Sequence, residues 1–223
     1  MNHKENKRMT TYMKRIVPFN ILGMMKKMSS KKSLLIVLSL FSLSCSNTEV
    51  GIHYYSLNAI EAQPQNTFTI EKNKKNIVVV IEDVTLADFL NTGSLVMQID
   101  SHQIQLSNQH RWGNKLSKAI TAHLMKTLSS ASNIYAEHKT AKNETLADHQ
   151  LTLSFEQFTI TNKHETVISG YYLIQSKLKG NSKKSFFDIR QPLTQDGYNH
   201  AVENFKKSLV ELSSQVMNEL NNK

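Results

Sequence analysis

The feature that most limits what this chain can fold into is an apolar run at residues 34–43. It is interrupted only by Ser39 and Ser42 and followed at once by Ser44 and the chain's single cysteine, Cys45. Lys26, Lys27, Lys31 and Lys32 precede it. A basic end, an apolar middle and a small residue at the cut make the order of a bacterial export signal. Ten residues rise only about 15 Å as a helix, against about 30 Å of hydrocarbon, which is too short for a permanent span. Residues 1–44 are therefore expected to stay outside the fold.

Cys45 stands where a lipoprotein signal needs its thiol, the nucleophile that can carry a thioether-linked diacylglycerol. Ser44 fits the position before such a cysteine, whereas Ser42 and Leu43 depart from the usual order of Leu followed by a small residue. The competing reading is an ordinary signal peptide whose lone Cys behaves as a small hydrophobe. The placement of Cys45 at the end of the apolar run favours lipidation. Ser46 follows it in place of the Asp that resembles an inner-membrane retention signal, so the outer membrane is the expected destination, with the domain on its periplasmic face. Residues 1–27 are long for a leader and contain Pro18 and Gly23, and a start at Met24 or Met28 would give a conventional one.

Removing the leader changes the electrostatics. Nine Lys or Arg and one acid fall in residues 1–44 of a chain whose net charge is +9, which leaves +1 for the remainder. A nucleic-acid binder needs a basic face on its folded part. None stands out, and the short runs at 72–75 and 183–184 read as solvated loops. The 179 residues from Cys45 onward suit one domain with a sizeable core at 52–223, joined to the anchor by a polar tether at 45–51. With no cysteine beyond Cys45, packing rather than disulfides must stabilise it.

The periodicities predict an α+β fold, a mixed, mostly antiparallel sheet with two long helices packed on it. His53, Tyr54, Tyr55, Ser56 and Leu57 are strand-prone, and residues 63–76 read as a loop. Residues 77–84 form a β-branched apolar run of the kind found in strands buried on both faces. A helical or turn segment at 85–90 leads to a hairpin of 95–99 and 102–106. A helix over about 109–129 follows from Trp112, Leu116, Ile120, Leu124 and Leu128, four apart on one stripe. Residues 129–145 are polar and end it. Leu151, Leu153 and Phe155 alternate with polar residues, and 167–178 and 185–190 complete a three-strand antiparallel meander. Val202, Phe205, Leu209, Leu212, Val216 and Leu220 define the buried face of a final helix.

Nothing in the chain carries a catalytic signature. There is no H-E-x-x-H, Cys-x-x-Cys, P-loop, G-x-S-x-G or G-x-G-x-x-G. The nine His are scattered among polar neighbours and set out no metal site. Glu82 and Asp83 are adjacent on a strand, so they point to opposite faces and do not make an acid/base pair. The chain reads as a non-enzyme, with no cofactor beyond a covalent lipid on Cys45.

Several segments in order resemble the ABC-type transport auxiliary lipoproteins of the PqiC (paraquat-inducible protein C) type, over nearly all of the chain after Cys45. They are Tyr54-Tyr55-Ser56-Leu57 soon after the cysteine, the strand running into Val84-Thr85-Leu86-Ala87-Asp88-Phe89-Leu90, and Arg111-Trp112-Gly113 opening the first long helix. The 155–158 strand and Gly197-Tyr198 at the start of the final helix fit as well. Ala87 stands where the family commonly has Pro, and Asn91 replaces a frequent Asp. The resemblance implies a non-catalytic role beside an MCE-type system that moves lipids or other hydrophobic compounds between the two membranes. The partners it implies are an MCE-domain periplasmic protein and its inner-membrane companion, the outer membrane through the lipid anchor, and further copies of the chain.

Tyr54, Tyr55, Arg111 and Trp112 are the candidate partner contacts. Trp112 also reads as the first core residue of the helix stripe, with Arg111 solvated, and on a strand one of Tyr54 and Tyr55 faces inward and the other outward. Two other roles stay open: an assembly lipoprotein of another envelope complex, and a periplasmic enzyme or ligand-binding protein with a lipid pocket between sheet and helices.

Overall fold

A computed structural model describes residues 51–58, 77–131, 133–143 and 147–222. Cys45, the leader, the tether up to Val50 and the polar stretch 63–76 lie outside the described residues. Within the unit Val50–Lys223 the order is β1 (His53–Tyr55), β2 (Ile77–Ile81), β3 (Thr85–Leu86), β4 (Ser94–Gln98), β5 (Ile104–Trp112), α1 (Leu116–Leu128), β6 (Ile134–His138), β7 (His149–Thr161), β8 (Glu165–Ser176), β9 (Ser182–Pro192) and α2 (Tyr198–Asn221). This is the α+β arrangement that the periodicities predict, a mixed sheet with two long helices.

The sheet is organised on β7. Along one edge β7 pairs antiparallel with β8 over its full length, and β8 pairs antiparallel with β9 to give the expected meander. Along the other edge it pairs in succession with three short parallel strands: β2 at His149–Leu151, β3 at Ser154–Phe155, and β4 at Ile160–Thr161. From β2 the sheet continues to β6, and from β4 to β5 and then β1. The β-branched run of β2 is explained by this place, because β6 and β7 flank it on both sides and Val79, Val80 and Ile81 are buried.

One irregularity decides which side chains reach the core. The β7–β8 register shifts between Phe155 and Gln157. Before the shift Leu151, Leu153 and Phe155 are buried, and after it Phe158 and Ile160 join the same core cluster. A strand of period two would put Phe155 and Phe158 on opposite faces, and the bulge restores them to one. Gly170 lies opposite Phe155, where a Cβ would overlap the Ser154 carbonyl oxygen and stand 3.1 Å from the Phe155 Cα. Only glycine allows the backbones to approach so closely there.

The core lies between the sheet and the helices. α1 packs on β6, α2 on β8 and β9, and the helices on each other. The predicted stripes are buried: Leu116, Ile120, Leu124 and Leu128 on α1, and all six positions on α2. Phe158 and Phe205 stack at 4.2 Å, which fixes α2 to the middle of β7.

Three expectations are corrected. Lys183 and Lys184, read as a solvated loop, lie exposed on β9 and pair with β8. The first helix begins at Leu116 rather than near Gln109, and Arg111 and Trp112 end β5 instead of opening the helix. A spacing of four from Trp112 to Leu116 agrees with helix, yet the residues before it pair with β4 and then with β1, and ladder hydrogen bonds decide the matter. Residues 134–138, read as part of a polar stretch, form β6. Only Ile134 and Ala136 alternate inward on that edge strand, too few to signal it.

Candidate functional site

The four candidate contacts come from two segments more than fifty residues apart, and the fold brings them together. β1 lies parallel to β5 with His53 opposite His110, Tyr54 opposite Arg111 and Tyr55 opposite Trp112. The Gly113 amide donates to the Tyr55 carbonyl at 2.8 Å, and the Trp112 amide to the Gly93 carbonyl at 2.8 Å. β1 thereby becomes an edge of the sheet.

The four side chains then divide. Tyr54 is 65% exposed and Arg111 half-buried, side by side on the edge. Trp112 is 7% exposed, edge-on to Phe158 at 5.9 Å and 6.1 Å from Phe205. Its ring belongs to the core, although from the end of a strand rather than from a helix. Tyr55 is half-buried against the core, so the inward and outward alternation of the two tyrosines holds.

Around Tyr55 the fold builds a ring cluster that residue-by-residue reading missed. The Tyr55 hydroxyl lies 2.8 Å from Nδ1 of His110. His110 stacks on Tyr198 with centroids 3.7 Å apart and on His53 at 5.3 Å. Tyr198, the first residue of α2, is placed by Gly197 at φ 109° and donates its hydroxyl to the Met97 sulfur at 3.3 Å. Burial, and then His53, push the His110 imidazole below its ordinary pKa. Burial, and then Tyr198, push the Tyr55 phenol up. The hydroxyl–imidazole contact ties β1 to β5 and helps to fix the edge. A signal was present: both segments read His, then one residue, then an aromatic, in the same direction, as a parallel pair would require.

Glu82 and Asp83, expected on a strand, follow the end of β2 at Ile81 instead, and they go to separate partners. Glu82 accepts from Lys139 at 2.9 Å, from Thr152 at 2.9 Å and from Gln150, while Asp83 meets Nε2 of His138 at 2.9 Å. The Lys139 ammonium holds the Glu82 carboxyl below the usual carboxylate range. Among the described residues no three His, Cys, Asp or Glu side chains converge on a point that could hold a metal ion. None of the described helices is long and apolar enough to cross a membrane.

Comparison with known proteins gives a consistent picture. The chain is 24% identical over 175 residues to the intermembrane transport lipoprotein PqiC of Escherichia coli (strain K12), covering 78% of this chain and 88% of that protein. The PqiC of Shigella flexneri matches to the same extent. Among solved structures, an uncharacterized protein superposes with a TM-score of 0.63 at 20% identity, over 76% of this chain and 99% of that one. Protein XCC0632 of Xanthomonas campestris superposes with a TM-score of 0.57 at 8% identity, over 74% and 92%. These two likenesses establish a shared fold. The profile of the ABC-type transport auxiliary lipoprotein component matches residues 55–217, from the half-buried Tyr55 of β1 to the last turns of α2, and the chain belongs to that family.

Proposed function

We propose that this protein is a non-catalytic, lipid-anchored component of an intermembrane transport system, held at the periplasmic face of the outer membrane through Cys45. Its folded domain docks on an MCE-domain periplasmic protein that connects to the inner-membrane partner. The observation that carries the docking part is the β1–β5 register, which sets Tyr54 and Arg111 together on an edge of the sheet. An exposed tyrosine beside an arginine is the residue chemistry of binding hot spots, and a sheet edge offers main-chain groups to a partner strand. The tether supports it too. Cys45 lies eight residues before His53, so the edge stays within about 28 Å of an acylated cysteine. The relatives' name, intermembrane transport lipoprotein, supports the transport class.

The test is crosslinking of the tagged full chain in its native envelope, with the crosslinker at Tyr54 or Arg111 and mass spectrometry of the adducts. Recovery of an MCE-domain protein supports the reading. Recovery of secretion or outer-membrane assembly components would replace the transport role with an assembly role. Cys45→Ala tests the anchor separately: acyl labelling should vanish and uncleaved precursor accumulate, and persistent labelling removes the lipid anchor at this residue.

A further inference from the structure

The β7 bulge does more than bring Phe155 and Phe158 into one core. Glu156 and Gln157 fall at the shift in register, and both line a cavity of about 440 Å³ on the sheet face turned away from the helices. A bulge that re-aims side chains in this way is a common device beside a binding site.

The cavity is built from cross-strand rows. Tyr172, Phe187 and Ile189 belong to the core, which turns Ser169, Tyr171, Phe186, Asp188 and Arg190 to the outer face. Gln157, Ser169 and Asp188 lie opposite one another in one row, and Thr159, Val167 and Arg190 in the next. Phe89 and the β4–β5 hairpin, with Gln98, Ile104 and its turn at 100–103, complete the lining. On the other side of the Ser169 row, about 7 Å along the strands, Tyr171 faces Phe186 and their rings meet edge to face at 6.1 Å. The Lys184 ammonium covers Tyr171 at 3.7 Å from its centroid, while Phe186 stays 73% exposed.

Charge decides what such a lining can hold. Arg190 is its one Lys or Arg, and the guanidinium is taken up by Asp188 at 2.8 and 3.0 Å and by Glu165 at 2.9 Å. Asp100 and Glu156 add two carboxylates, so the lining stays negative even with His102 charged, and an anionic ligand is disfavoured. Asp100 is turned to the His102 and Gln103 amides at 2.7 and 3.0 Å, and the acids do not converge on a point for a metal ion among the described residues. The rest are neutral groups that both donate and accept: the amides of Gln98, Gln103 and Gln157 and the hydroxyls of Ser169 and Thr159. Thr159 is 2% exposed, and its hydroxyl has no hydrogen-bond partner among the described residues, an unmet demand at the cavity.

We infer that this face binds a neutral oligosaccharide, with one sugar seated in the cavity and its neighbour stacked on Phe186. A sugar ring presents C–H groups on its face and hydroxyls on its rim. An exposed aromatic ring answers the first, and side chains that donate and accept answer the second, because every sugar hydroxyl does both. The same chemistry is offered by acetamido sugars, as in cell-wall glycan, and by plain hexoses.

Calorimetric titration of the tagged full chain, in a detergent without a sugar headgroup, separates the two sources: chitotetraose carries acetamido groups, and maltotetraose only hydroxyls. Binding of at least one tetramer is expected, and the anionic polysaccharide dextran sulfate should not bind. Phe186→Ala and Gln157→Ala should each weaken binding by about fivefold with melting temperatures close to the parent's. Val210→Ala, at an exposed position on α2, should leave it unchanged. Heat from neither tetramer overturns the proposal. Full affinity in either of the two outer-face variants, or binding of dextran sulfate in place of the tetramers, does the same.

Discussion

Phe155 and Phe158 lie three residues apart on one strand and meet edge to face at 6.0 Å in the same core. The shift in register between them makes this geometry, and Gly170 on the facing strand makes the shift tolerable. Gly170→Ala forces a methyl group against the Ser154 carbonyl, at a φ of 156° that side chains rarely adopt. We expect a loss of about 2 to 3 kcal/mol, read as a lower urea midpoint with an unchanged slope. A midpoint within error of the parent would mean that β7 and β8 can separate at the bulge without cost.

Leu124 is fully buried on the stripe of α1. Leu124→Ala should cost about 2 to 5 kcal/mol, from lost transfer energy and the cavity left behind. Thermal unfolding of the two proteins side by side checks this, and equal melting temperatures would contradict the placement of α1 on the core.

The C-terminal part of α2 is held by a titratable group. Burial pushes the Glu219 carboxyl up, but hydrogen bonds from Ser185, Lys183 and Tyr172 outweigh it and hold the group below the ordinary range. A depressed folded-state value contributes stability that is present above the unfolded pKa and is lost as pH falls through the folded one. Acid should therefore loosen α2 from β8 and β9 below about pH 4.5, and Glu219→Gln should flatten that part of the melting-temperature profile.

At the same cluster, burial and then Glu219 push the Tyr172 phenol up to about 12. A phenol raised in the folded state favours folding below its unfolded pKa, and that contribution fades from about pH 10 upward toward the folded value. Tyr172→Phe should remove this alkaline loss while keeping the ring in the core. An alkaline limb identical in both proteins would remove Tyr172 as its source.

The edge cluster should respond nearer neutrality. With His110 held below its ordinary pKa, the unfolded state binds a proton first as pH falls, so edge stability is present above about pH 6.5 and fades below it. Protection of the β1 amides, corrected for the intrinsic pH dependence of exchange, should fall between about pH 6 and 5, and that fall should disappear in His110→Phe. Protection that is flat across this range in the parent would show that the cluster does not hold the edge.

Much of the fold was legible because it is written locally. The α2 stripe from Val202 to Leu220, the alternation of Leu151, Leu153 and Phe155, and the β-branched run of β2 each state their own period. What could not be read depends on partners distant in sequence. Trp112 is four residues before Leu116 and fits a helix, until β4 and β1 claim its backbone. Ile134 and Ala136 become a strand only because β2 lies beside them. Tyr54 and Arg111 were singled out separately, and only the parallel register made them neighbours. His53 and His110 each look like surface residues, and Tyr198 like a mere helix opener, until the three stack on one another.

The three short strands along one edge of β7 also impose an order in time. Val79 pairs with His149, seventy residues later, and β3 and β4 likewise wait for the strand that receives them. A chain made from its N-terminus delivers β2, with its sequence Ile-Val-Val-Val-Ile, well before β7 can cover it. Such nonlocal pairing is slow to form, and an uncharged β-branched segment left open in the meantime is prone to associate with others of its kind. The N-terminal half of this domain therefore cannot mature as it emerges; it must be kept apart from its neighbours until the meander behind it has been made.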